Sequence, residues 1–156
     1  MKSTVYLETT IASYLVAAPT RDIIQAAHQQ ATREWWTTRD RFDLFVSGPV
    51  LAEARRGDTI AAARRLEALA GVPILSVDRA VRTLANTLLR VGALPTKARL
   101  DAVHVAIAAV NGIDYLLTWN LRHLANAAIR GKIEEACRRA GIQPPNICTP
   151  EQLMEV

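Results

Sequence analysis

The stretch Leu100–Asn126, LDAVHVAIAAVNGIDYLLTWNLRHLAN, decides how the whole chain is read. It reads as helix, tight turn, interior strand and polar loop. Leu100, Val103, Ile107 and Val110 recur at helical spacing, and the positions between them are mostly Ala or Val. A helix apolar nearly all round is expected to be buried rather than merely amphipathic. Asp101 opens it, where unpaired N–H groups and the positive end of the dipole favour a carboxylate. Asn111-Gly112 ends it, because both residues tolerate the left-handed conformation common at helix C-termini. Tyr115 to Thr118 follows as a short interior strand, with Asn120, Arg122, His123 and Asn126 massed just beyond it. Open α/β sheets place their active sites past the carboxyl ends of such strands.

Working outward, the same alternation of strand and helix fills the chain. Ser3 to Leu7, Asp43 to Ser47, Val72 to Val77 and Asn146 to Thr149 read as further strands. Between them lie helical segments: Ile11 to Val16, a long helix from a cap at Thr20 or Asp22 to about Arg41, and VLAEARR after Gly48-Pro49. More follow after the caps Asp58 and Asp78, from Ala127 to Ala140, and from Pro150. The predicted inward faces are Ile24, Ala27, Ala31 and Trp35 on the long helix and Ile60, Ala63, Leu66 and Leu69 on the one after Asp58. On the helix after Asp78 the predicted stripe is Val81, Leu84, Ala85, Leu88 and Val91. Alternating strands and helices imply a parallel sheet with helices on both faces, an α/β class.

Length and composition agree. A chain of 156 residues suits one domain with a proper core. Half of it is hydrophobic and 22% is charged, which excludes a disordered chain. No apolar run approaches the roughly 20 residues a membrane span needs, and MKSTVYLETT lacks the features of a signal peptide. A cytoplasmic protein without membrane attachment is the expectation. Cys137 and Cys148 are too few for a metal cluster or disulfide framework and read as free thiols. A net charge of +4 and a pI near 9.5 fit a polyanionic partner without specifying one.

In a parallel sheet every strand points its carboxyl end to one edge, and the acids fall there. Glu8 follows the first strand, Glu53 lies one to two helical turns past the second, Asp101 starts the helix leading into the fourth, and Asn120 follows that strand. Taken singly, each has a plainer explanation: a surface turn for Glu8, a pair with Arg56 for Glu53, a helix start for Asp101. Together, three carboxylates and an amide oxygen are the donor set of a hard cation such as Mg²⁺. Asp101 adds weight, because a charge on so apolar a helix needs a partner or a metal.

VYLETT, SGPVLAEA, LDAVHVAIAA and YLLTWNLRHL, in this order and separation, resemble a PIN domain. More narrowly they resemble a VapC-type toxin of a toxin–antitoxin pair. The resemblance covers essentially the entire chain, and the DAxHxAxA helix followed by LLTW is its most specific part. It implies a single PIN-like domain over residues 1–156, a three-layer α/β/α fold with a short central parallel sheet. It further implies an endoribonuclease that cleaves RNA phosphodiester bonds with Mg²⁺ or Mn²⁺, forms homodimers and is neutralised by a cognate antitoxin. Catalytic and metal-binding roles then fall to Glu8, Glu53, Asp101 and Asn120. The family usually has Asp at the first and last of these positions. Glu8 lengthens the reach by one methylene, and Asn120 removes a negative charge. A PIN-like RNA- or antitoxin-binding protein with a weakened site is the alternative.

Around these four, Thr118 is a candidate hydroxyl donor to Asn120 or to a metal-bound water, and Arg122 and His123 are candidate phosphate contacts. His104 reads as a hydrogen-bonded core histidine rather than a catalytic base. Trp119 reads as packing or as a stacking platform for a base, and Trp35 as core. Arg55, Arg56, Arg64 and Arg65 read equally as a phosphate track and as solvated helix faces.

Overall fold

The structure, a computed structural model, describes residues 1–154. Its strands are β1 (Ser3–Leu7), β2 (Phe42–Ser47), β3 (Ile74–Leu75), β4 (Tyr115–Leu117) and β5 (Asn146–Cys148). Its α-helices are α1 (Thr9–Val16), α2 (Ile23–Thr37), α3 (Gly48–Ala54), α4 (Thr59–Leu69), α5 (Arg79–Arg90), α6 (Arg99–Val110), α7 (Ala127–Arg139) and α8 (Pro150–Leu153). The strands form one sheet in the order β3-β2-β1-β4-β5, and every pairing is parallel. Helices flank it in two groups. α1 contacts α2, α3 and α4, and α2 contacts α8, whereas α5 contacts α6 and α7. This is the expected α/β arrangement with a short central parallel sheet.

The chain moves outward from β1 through β2 to β3, then returns to lay β4 on the other side of β1. Strand order therefore reverses beside β1, the switch point at which such sheets open a crevice past their carboxyl ends. Leu7 pairs with Leu117, so Glu8 and Thr118 emerge side by side. The Glu8 amide continues the ladder to the Leu117 carbonyl at 3.1 Å.

α6 is the helix the sequence marks as buried, and its core is small-sided. Ala102, Val105, Ala106, Ile107, Ala108 and Ala109 are all buried, while Leu100 is exposed and Val103 and Val110 are half-buried. The alanine face lies deeper than the larger aliphatic stripe because side chains without bulk let a helix approach its neighbours closely. Its end is a Schellman motif. The Gly112 amide reaches the Ala109 carbonyl and Ile113 that of Ala108, with Gly112 at φ 65°.

Several boundaries and faces differ from the sequence reading. α2 stops at Thr37, where the Thr37 and Thr38 hydroxyls bond the Glu34 and Trp35 carbonyls, and Arg39–Arg41 is a 3-10 turn. Its buried residues are Gln29, Ala31, Thr32 and Trp35, leaving Ile24 and Ala27 exposed. α4 buries Ala62 and Leu69, whereas Ile60 and Ala63 face out. Both helices carry apolar residues on two sides, so periodicity alone does not fix their rotation. Val91 is likewise exposed, just past the end of α5. Only Ile74–Leu75 of the third expected strand pairs; it is an edge, and Pro73 has no N–H to donate. Thr149 leaves the last strand to form the capping box of α8.

Candidate metal centre

Glu8 sits where β1 becomes α1 and caps that helix. Its Oε1 accepts from the Thr10 amide at 3.2 Å, from the Thr10 hydroxyl and from the Thr118 hydroxyl at 2.6 Å. Those hydroxyls are themselves held, Thr10 by the Trp119 amide at 2.8 Å and Thr118 by the Asn120 amide at 2.9 Å. The loop after β4 is thus tied to the end of β1 through Glu8. Burial pushes the Glu8 carboxyl above its ordinary range, outweighing the His104 charge and the hydrogen bonds that pull it down.

Glu53 arrives on α3, whose start is set by Ser47 at the end of β2: the Ser47 hydroxyl accepts from the Val50 amide. Glu53 Oε1 accepts from Thr9 at 2.9 Å and faces His104 Nε2 at 2.7 Å. Burial raises the Glu53 pKa, but His104, Thr9 and Arg56 together more than offset it, and the group lies below its ordinary range. Asp101 lies in the first turn of α6, and its Oδ1 accepts from Asn120 Nδ2 at 3.1 Å. Burial pushes Asp101 up; His104, His123 and the Asn120 bond pull against it, and the Glu53 charge adds to the rise.

The sheet therefore brings Glu8, Glu53 and Asp101 together at one edge. One ligand atom each of Glu8, Glu53 and His104 lies within 4.8 Å of the others. Asp101 joins through Asn120 and through its charge interaction with Glu53. Asn120 is placed beside Asp101, but its amide nitrogen faces the acid while its oxygen accepts from the His123 amide at 3.0 Å. In this position it offsets negative charge by donation and adds none.

A divalent cation fits this donor set. Each carboxylate has one oxygen tied by hydrogen bonds, which leaves Glu8 Oε2, Glu53 Oε2 and Asp101 Oδ2 without a partner among the described residues. Among those residues no Lys or Arg forms a salt bridge with any of the three. Gathered carboxylates without a Lys or Arg partner suit a hard ion that takes oxygen ligands. His104 has neither ring nitrogen free for an ion, since Nε2 faces Glu53 Oε1 at 2.7 Å and Nδ1 the Tyr6 hydroxyl at 2.6 Å.

The remaining candidates divide. Thr118 is fully buried, and its hydroxyl donates to Glu8 rather than to Asn120, from whose amide it accepts instead. His123 is half-buried, close enough to act on Asp101 electrostatically, and its Nδ1 has no hydrogen-bond partner among the described residues. Arg122 is exposed, and among the described residues its guanidinium forms no salt bridge with the acids. Trp119 is packing: it stacks on His28 with centroids 4.0 Å apart and donates to Thr32 at 2.7 Å. Trp35 is fully buried. Arg65 is spent on the Ala54 and Arg56 carbonyls. Sequence reasoning missed Thr9 and Thr10, although ETT places both beside Glu8. It also missed Tyr6 and Ser47, which carry no signal beyond their strand positions.

A β3-β2-β1-β4-β5 parallel sheet with acids converging at the switch point is the PIN-like α/β fold. The chain shares that fold with VapC toxins. It is similar to VapC20 of Mycobacterium tuberculosis, a sarcin–ricin loop cleaving toxin, at 21% identity over 72% of this chain and 86% of that one, with a TM-score of 0.55. It is also similar to VapBC2 of Rickettsia felis, whose structure was solved bound to a DNA fragment from its promoter. That likeness is 14% identity over 94% of this chain and 98% of the other, with a TM-score of 0.54. No family model and no curated protein sequence matches the chain. No helix among the described residues is long and apolar enough to cross a membrane.

Proposed function

We propose that the chain is a VapC-type toxin, an endoribonuclease that cleaves RNA phosphodiester bonds with Mg²⁺ or Mn²⁺. The observation that carries this reading is the gathering of Glu8 from the end of β1, Glu53 from α3 and Asp101 from the first turn of α6, with no Lys or Arg salt-bridged to any of them among the described residues. A cation held there would acidify a bound water and neutralise charge developing on the phosphoryl oxygens. Glu8, Glu53 and Asp101 hold it; Thr10 and Thr118 aim Glu8, and Asn120 aims Asp101. His123 and Arg122 meet the phosphate backbone from the loop after β4, in keeping with the basic charge of the chain. The reading includes a cognate antitoxin as partner, and the VapBC2 neighbour supports it. It also includes a cytoplasmic homodimer, which sedimentation of the purified chain tests.

Asn120, standing where the family has an acid, favours one other reading: a PIN-like protein that binds RNA or an antitoxin without cutting. Incubation with mixed structured RNAs separates the two. Fragments that appear with Mn²⁺, vanish with EDTA and are absent with Asp101→Asn support the nuclease. RNA retained intact by the folded protein supports the binder.

A further inference from the structure

Behind the three acids runs a buried chain of side chains that cation binding and phosphate contact do not explain. His104 Nε2 lies 2.7 Å from Glu53 Oε1, His104 Nδ1 lies 2.6 Å from the Tyr6 hydroxyl, and that hydroxyl lies 2.7 Å from Ser47 Oγ. Ser47 and Tyr6 are fully buried and His104 is 1% exposed. The four residues come from β1, the end of β2, α3 and α6, so no local turn or cap requires them to meet.

We propose that Tyr6 and His104 are positioning residues that fix the Glu53 carboxylate for a divalent cation, with Ser47 as the anchor of the relay. This rests on the reading of Glu53 as a cation ligand. The direction of the bonds follows from inventory. Glu53 Oε1 is an acceptor, since it already accepts the Thr9 hydroxyl, so His104 Nε2 must carry a proton. In the neutral ring Nδ1 is then bare and takes the Tyr6 proton, Tyr6 accepts from Ser47, and Ser47 accepts from the Val50 amide. In the charged ring the two outer bonds reverse and Nε2–H still faces Glu53. Either way the donor presented to the acid is the same.

The relay joins two determinants of where Glu53 stands. Ser47 starts α3 and so places the Glu53 backbone, and through Tyr6 and His104 the same hydroxyl orients the Glu53 carboxylate. With Oε1 held by Thr9 and His104, Oε2 is the oxygen turned free. An imidazole that orients a carboxylate while itself held by a second partner is an outer shell of the kind whose loss costs about 10–100-fold in metal affinity.

The test is Mn²⁺ calorimetry on the metal-free protein, with ¹⁵N NMR of the histidine rings. Tyr6→Phe keeps the buried ring and removes only the hydroxyl; it is expected to weaken Mn²⁺ binding about 10–100-fold. His104→Leu should do the same. His104→Gln, whose amide donates to Glu53 and accepts from Tyr6, should bind close to wild type and covers the case in which His104→Leu does not fold. In the metal-free wild type the His104 ring should carry its proton at Nε2. Wild-type affinity in folded Tyr6→Phe, or a bare Nε2 toward Glu53, overturns the positioning role and leaves the cation site standing. A wild-type protein that binds no Mn²⁺ removes the cation site, and the relay's purpose with it.

Discussion

Thr118→Val isolates the network around Glu8. Thr118 is fully buried, donates to Glu8 Oε1 at 2.6 Å and accepts from the Asn120 amide at 2.9 Å. Valine keeps the shape and removes both bonds. A hydrogen bond to an ionised acceptor contributes about 1.5–3 kcal/mol, and leaving the Asn120 N–H unpaired costs about 1 kcal/mol more. Burying a methyl in place of the hydroxyl returns about 0.8 kcal/mol. The net loss should be about 2–3 kcal/mol wherever Glu8 is ionised. With Glu8 protonated the lost bond is an ordinary one, and the loss should fall to about 1 kcal/mol. Urea unfolding of the cation-free protein, at neutral pH and again below the ordinary glutamate value of 4.5, reads both quantities as midpoint shifts at constant slope. A loss under about 0.5 kcal/mol at neutrality would refute a Glu8 held by Thr118, and a loss that falls at the lower pH identifies an ionised Glu8 at the higher one.

Three further outcomes follow from the same geometry. Burial raises the Glu8 pKa above its unfolded value, so its contribution to stability is present below 4.5 and lost as pH rises through the folded value. The cation-free protein should therefore lose melting temperature on that rise, and Glu8→Gln should melt higher than wild type at neutral pH; a lower melting point there contradicts it. Asn120→Asp puts a third charge beside Asp101 and Glu53. It should lower cation-free stability and tighten Mn²⁺ binding, and calorimetry showing unchanged or looser binding would remove Asn120 from the site. Gly112→Ala meets no atom within 4 Å yet must adopt φ 65°, so it should cost about 1–2 kcal/mol in urea unfolding.

How far the sequence reveals the site depends on what holds each residue. Glu8 and Asp101 are legible because strand–helix alternation fixes which edge the strand ends share, and Glu53 because Gly48-Pro49 starts its helix at that edge. Asn120 is legible as a neighbour of the acids, but which end of its amide faces them is set by the His123 N–H, a tertiary detail. The His104–Tyr6 contact spans 98 positions, and a tyrosine inside a buried strand looks like core until its hydroxyl partner is known. The faces of α2 and α4 were ambiguous for a different reason: Ile24 and Ile60 compete with Gln29 and Ala62 for the inward side. Burying Gln29 is viable only because its amide reaches the Ala18 carbonyl at 2.9 Å.

The central claim is that the three carboxylates form a cation site, and linkage between metal and folding tests it most directly. A cation that binds only the folded chain stabilises it by about 2.7 kcal/mol at a hundredfold excess over its dissociation constant. The melting temperature of the wild type should climb with Mn²⁺ concentration, and Asp101→Asn, folded, should lose most of the response. A wild-type melting curve indifferent to both Mn²⁺ and Mg²⁺ would contradict the account.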